Sequence, residues 1–458
     1  MARISIDEFS FPKYDDIDVI NAWEWMMSFL SDADWEKRKN RIEQELIIEF
    51  RTTVPFSEPL TNGTLLVIKN DVISWYLYLI DTLINEPYKY EYFQGARVVP
   101  IFKRLGVDLH LIKGIEGINK RMTELLFKRQ QEADALLFEI LSASLWAKNG
   151  YQVSFIPEVN GEKTPDILAI KDKEKWFIEC KRQSKTADYT YKETEKRQKM
   201  ISYISKTLLE KNILLDIVFH VELEPLSDTY LKDLLENKLI FATAGKIVSN
   251  DEVDIHLEYL DMQSINKFSN EFCVKQHSPV LNNLIGGKPI DNKAFTCGMY
   301  GYSYRIGKGE INNLYISDIV KAYGVYWYCD AKESIWAKAR GIKSQVIKAS
   351  KQFKSEDTSF LHIGLETFDG PEVEKIRFEK ILNSLDDFNP NDIKMKWIFC
   401  HFFQSYSPPD QDWVFDETVS MLSPFLNIKP PLIQNLMIVP NAGETSHEEF
   451  HWNKPLPY

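Results

Sequence analysis

The spacing of apolar residues changes twice along the chain. Residues 21–50 carry Trp23, Met26, Met27, Phe29, Leu30, Trp35, Ile42 and Leu46 at spacings of three and four, with charges between them, the pattern of an amphipathic helix. Residues 72–84 predict a second, buried helix. Residues 115–131 predict a third, with Lys and Arg on its polar side. Together they predict a helical N-terminal region over residues 1–131, which shows no catalytic pattern.

From residue 132 the period shortens. Residues 133–149 predict a helix that Gly150 stops. Short β-rich runs at 152–158, 166–170 and 176–181 predict three strands, with a turn at Asn160-Gly161 and a charged turn over 171–175. Residues 191–211 predict one long helix with Met200, Ile201, Ile204, Leu208 and Leu209 on one face, and 213–223 predict a fourth strand. The order over residues 132–225 is helix, three strands, helix, strand. Residues 226–458 read as a mixed α+β region, with strands at 326–329, 361–365 and 396–403 and helices at 335–353 and 373–385. Its tail after Pro424 is expected to lie irregularly over the surface. No low-complexity linker separates these regions, so they should pack together.

Charge and cysteine content narrow the picture. At 458 residues the chain has room for two to four domains of roughly 100–200 residues. A net charge of −12 is unlike proteins that coat nucleic acid nonspecifically, whose affinity rests on neutralising phosphates. Five widely spaced cysteines with no CxxC pair predict a reducing compartment, no disulfide framework and no zinc site. The most apolar run, 72–80, falls short of the roughly 20 residues a membrane span needs. The N-terminus lacks a signal-peptide pattern. A cytoplasmic protein with no membrane attachment is the expectation.

The candidate chemistry lies in Thr164-Pro165-Asp166-Ile167 and Ile178-Glu179-Cys180-Lys181-Arg182. Glu179 and Lys181 are two apart on a predicted strand, so they share a face. A hairpin would bring Asp166 beside them. Two carboxylates suit Mg²⁺ (or Mn²⁺), a hard cation that prefers oxygen ligands, and the Cys180 backbone carbonyl offers another oxygen. Lys181 would orient water or contact a phosphate as a point charge. Glu139, set inside Leu136-Leu137-Phe138-Glu139-Ile140-Leu141, should face the interior or a site, because an unpaired buried carboxylate is costly. Downstream, Lys181, Arg182, Lys185, Lys192, Lys196, Arg197 and Lys199 outnumber Asp188, Glu193 and Glu195. That suggests a phosphate-contacting face, with Arg182, Lys185, Lys192 and Arg197 as its nucleic-acid-binding members.

The motif Pro165-Asp166 … Glu179-Cys180-Lys181 and the order of elements resemble the PD-(D/E)XK nuclease superfamily. The run from Ile178 to Arg182, with Tyr189, Tyr191 and Glu195, also resembles uncharacterised bacterial proteins that share this core. The likeness covers residues 132–225. It implies an α/β restriction-endonuclease-like core, with Glu139 in the place of the acidic residue often found on the first helix. It also implies metal-dependent hydrolysis of phosphodiester bonds, with DNA favoured over RNA by family analogy alone, and with defence against foreign DNA as the leading role and repair or recombination as the next. The rival expectation is a catalytically silent module that binds nucleic acid or a ligand, or a subunit of a larger defence complex. A homodimer or a partner subunit is left open.

Other signals are weaker. Asp318, Asp330 and Lys332 mimic the spacing of the motif, but coincidence accounts for them better than a degenerate repeat. His220, His362 and His401 read as satisfied core histidines, and Trp327, Trp336, Trp397 and Trp413 as core. The absence of a GxxxxGK[ST] loop argues against an ATPase.

Overall fold

The computed structural model describes residues 3–4, 11–53, 60–61, 68, 70–157, 164–183, 187–239, 243–307, 313–354, 358–366, 369–386, 395–423, 429–439, 450–454 and 456. In chain order the main helices are α1 (Ile17–Met27), α2 (Asp32–Thr53), α3 (Val72–Asn85), α4 (Tyr92–Val107), α5 (Ala133–Lys148), α6 (Asp188–Ser202), α7 (Ser205–Lys211), α8 (Met262–Glu271), α9 (Pro279–Gly286), α10 (Lys332–Lys338), α11 (Lys343–Ser350) and α12 (Pro371–Asp386). The main strands are β1 (Gln152–Phe155), β2 (Ile167–Lys171), β3 (Glu174–Arg182), β4 (Ile213–Phe219), β5 (Gly245–Ser249), β6 (Val253–Tyr259), β7 (Ala294–Ile306), β8 (Leu314–Cys329), β9 (Ser359–Glu366), β10 (Met395–Tyr406) and β11 (Val414–Leu422). No helix among the described residues is long and apolar enough to cross a membrane.

The architecture is mixed α/β with two sheets. The first has the order β11-β10-β9-β3-β2-β1. The second runs β7-β8-β4-β6-β5, extended by the two-residue strands Arg3–Ile4, Leu60–Thr61 and Val274–Lys275. Residues 213–223, expected as the fourth strand of the core over 132–225, form β4 of the second sheet instead; the parallel neighbour of β3 is β9, with Glu179 opposite Leu361 and Lys181 opposite Ile363. The first sheet therefore takes strands from both sides of the boundary expected at residue 225.

Side-chain chemistry explains the exchange. A parallel central strand is buried on both faces and reads as a continuous apolar run. All eight residues of β9 are buried. In β4 only alternate residues are fully buried, and Asp216, on its other face, pairs with Lys293 at 2.5 Å. An aspartate at mid-strand suits a sheet with one covered face.

The polar residues of β9 are satisfied. The Trp146 indole donates to His362 Nε2 (3.0 Å), His362 Nδ1 lies 2.9 Å from His401 Nε2, and His401 Nδ1 lies 3.2 Å from Glu417. Because indole can only donate, the chain of bonds runs in one direction from Trp146 to the Glu417 carboxylate. His362 and His401 are core histidines, as expected. His220 is partly exposed against Asp330 instead.

One face of the first sheet carries α5 and the helical N-terminal region, with Phe138, Trp146, Ile178, Phe360 and Phe399 in one core. The other face packs Leu361, Ile363, Ile398 and Phe402 against α11, α12 and Trp452. Several expected helices are broken in two. Residues 21–50 divide between α1 and α2, 191–211 between α6 and α7, and 335–353 between α10 and α11. Residues 115–131 become three short helical turns. The predicted strand at 326–329 is the end of the 16-residue β8, so Asp318 and Asp330 lie along one strand and its exit, with no hairpin between them. The tail is not superficial, because Leu432, Leu436, Met437 and Ile438 are buried and Glu417 accepts from the amides of Met437, Ile438 and Val439. Trp336, expected in the core, is 57% exposed, with the Lys380 ammonium 3.7 Å from its ring centroid.

A buried carboxylate cluster as the candidate active site

The hairpin β2–β3 closes through Lys171 opposite Glu174, and Asp172 turns with φ 53°. This register carries Asp166 to the flank of Glu179. The Asp166 amide donates to the Ile178 carbonyl at 3.0 Å, and its carboxylate accepts from the Cys180 amide at 2.8 Å. The backbone of β3 thus clamps Asp166 on either side of Glu179.

Glu179 is 1% exposed and Glu139, on α5, is 6% exposed. Burial first, then the Asp166 charge, push the Glu139 carboxyl up to about 8; Arg121 and Arg129 oppose the shift and Glu179 adds to it. Burial and Asp166 likewise push Glu179 up to about 8 against Lys181 and Gln352. Asp166 is raised by burial, opposed by its bond from Cys180 and by Lys181, Arg121 and Arg129. Three carboxylates close enough to disturb one another's ionisation need positive charge nearby. Lys181 supplies some. Burial works against its ammonium, but Glu179 and Asp166 outweigh that and raise its pKa, and it bonds directly to Glu179 Oε1.

The compensation is incomplete. Oε2 of Glu139 and Oε2 of Glu179 are both buried and accept no hydrogen bond. Arg121 Nη1 stands 3.1 Å from Glu139 Oε2, an ion pair whose angle makes no hydrogen bond. Unmet, desolvated carboxylate oxygens are the donor chemistry a hard divalent cation takes. Among the described residues no three His, Cys, Asp or Glu side chains are drawn together tightly enough to hold an ion as they stand.

Two members of the site come from distant segments that no sequence pattern marks. Arg121 arrives from the N-terminal region, 5% exposed, over the Phe155 ring at 5.0 Å. Gln352, just after α11, stands near enough to oppose the rise of the Glu179 carboxyl.

Among the described residues, Arg182 and Arg197 do not join the expected phosphate-binding face. Arg182 lies on the opposite face of β3 from Lys181. It bonds Glu366 at 2.6 Å, stacks 5.1 Å over Phe403 and is only partly exposed. The cause is strand alternation, which sends residue 182 toward α5. Arg197 turns inward and bonds Thr194 at 2.9 Å. Lys196 is neutralised by Asp228 at 2.6 Å. Lys192 is exposed, 3.9 Å from Glu224. Lys185 and the Asn160-Gly161 turn lie outside the described residues.

Compared with known proteins, the chain matches no family model, no curated protein and no solved structure.

Proposed function

We propose that the protein is a metal-dependent nuclease that hydrolyses phosphodiester bonds, with DNA as the favoured substrate and defence against foreign DNA as the role. The observation that carries this reading is the clamped, under-neutralised set of Asp166, Glu179 and Glu139 with Lys181 bonded into it. Asp166 and Glu179 would hold Mg²⁺ or Mn²⁺, with the Cys180 carbonyl as a further ligand and Glu139 beside them. A bound divalent cation supplies a water of lowered pKa and offsets charge developing on the phosphate. The residues do the rest. The Cys180 amide fixes the Asp166 carboxylate. Lys181, kept charged by its neighbours, places a cation where an attacking oxygen or a phosphate oxygen would sit. Arg121 limits the net charge at Glu139.

A second reading rests on the Lys181–Glu179 bond. That ion pair already neutralises part of the site, and Arg182 and Lys196 are paired with carboxylates of the chain itself. A silent binding module, or a subunit that acts only within a complex, would look like this.

The test is cleavage of supercoiled plasmid, single-stranded DNA and RNA with Mg²⁺, Mn²⁺ or EDTA. Cutting that needs metal, is absent in Asp166→Ala and falls in turnover more than in binding for Lys181→Ala is expected. Cutting that Asp166→Ala retains would remove the assignment. Binding without cutting would favour the silent module.

A further inference from the structure

A cavity of about 280 Å³ lies where the two sheets meet, between Phe219 and Trp327 on one side and the start of α12 and His451 on the other. None of Glu139, Asp166, Glu179 or Lys181 lines it. It is therefore a separate site, and its argument does not depend on the nuclease reading.

Three cations reach this cavity: Arg197, Lys293 and Lys338. Lys338 is paired with Glu193 at 2.6 Å, and Lys293 with Asp216 at 2.5 Å. Arg197 differs. Its one side-chain hydrogen bond recorded among the described residues goes from Nη2 to the Thr194 hydroxyl, and its Nε is buried with no acceptor. A guanidinium cannot shed its proton as a buried lysine can, so the unmet donor stays charged. Burial depresses its pKa despite the opposing charges of Glu193 and Asp369. Three acids line the cavity. Glu193 is occupied by Ser334 and Lys338, Glu374 accepts from Arg377 at 2.8 Å, and Asp369 adds its charge near Arg197 without taking the Nε proton.

A second unmet group stands at the same wall. His451 Nε2 is buried without a partner, while Nδ1 lies 2.8 Å from the Thr418 hydroxyl. That hydroxyl oxygen also accepts from the His451 amide, and its own proton can be given to Nδ1. In the tautomer where Nδ1 accepts from Thr418, the neutral imidazole carries its own proton on Nε2, as a donor toward the cavity.

We propose that this cavity binds a small organic anion, a phosphate ester or a carboxylate, whose oxygens take the unmet donor of Arg197 and find a second contact at His451. Its volume is near the lower end for small-molecule pockets, roughly 300–1,000 Å³, so the ligand is compact.

Calorimetric titration of the full chain with adenosine monophosphate, inorganic phosphate and citrate tests this. Saturable binding of at least one is expected. In folded Arg197→Gln it should weaken at least about tenfold, the factor for losing one charge-assisted hydrogen bond. Arg197→Lys, which keeps the charge but not the Nε donor, should weaken it less. Circular dichroism checks the fold of both variants. Asp166→Ala should bind as the wild type does. Preference for the two phosphates over citrate would identify a phosphate ester, and the reverse a carboxylate. No saturable binding of any of the three, or unchanged affinity in folded Arg197→Gln, would overturn the proposal. So would loss of binding in Asp166→Ala, which would move the anion to the carboxylate site.

Discussion

Glu139 shows how a single residue reports on a site. A carboxylate inside an apolar helical run is legible in the sequence as something that must face a partner, and it lies 6% exposed beside Asp166. Asp166, Glu179 and Lys181 were legible for a related reason: one short hairpin joins them, so local register suffices. Arg121 and Gln352 were not legible, because their approach depends on how distant segments pack. The raised carboxyls have a consequence for stability. A carboxyl with a raised folded pKa favours the fold while protonated, so its contribution is whole below the ordinary 4.5 and is lost as pH passes about 8. In EDTA the protein should lose thermal stability as pH rises from about 5 to about 8, and Glu139→Gln, which cannot ionise, should lose less. Calorimetric scans at both ends of that range check this, and equal losses would contradict it.

Elements were less legible than residues. Helix and strand periods located α5, β2, β3 and β10, but two strands with similar apolar content competed for the place beside β3. Asp216 in β4 was the available clue, set against the unbroken burial of β9. Helix breaks such as the one between α10 and α11 fall near Gly341, where Gln183 bonds the backbone carbonyl at 3.1 Å, a contact no periodicity displays. Within β9, Gly364 lets α5 and β3 close together. A Cβ there would sit 2.8 Å from Phe138 and 2.9 Å from Arg182. Gly364→Ala should therefore destabilise the fold by about 1–3 kcal/mol through overpacking. Denaturant midpoints at unchanged slope would measure it, and an unchanged midpoint would show that the two side chains yield freely.

For the whole molecule, the sheet that carries the carboxylates is discontinuous in sequence. β3 is flanked by β2 on one side and by β9 on the other, and β10 and β11 complete that edge. Buried ion pairs reinforce the arrangement: Glu366 on β9 takes Arg97 from α4 and Arg182 from β3, each at 2.6 Å. Residues 132–225 alone lack that strand and those partners, and would expose the apolar faces they cover. A fragment of that range should show no cooperative thermal transition by circular dichroism, whereas a sharp transition would mean that the hairpin and α5 suffice.

Under the proposed function, Asp166 and Glu179 hold a divalent cation, with Glu139 beside them. Asp166→Asn preserves shape and the acceptor for the Cys180 amide while removing one charge. Calorimetric titration of Mn²⁺ into wild type and Asp166→Asn therefore tests the claim most directly. Saturable binding in the wild type that is lost in the folded variant is the predicted result. No binding in either, or the same binding in both, would contradict it.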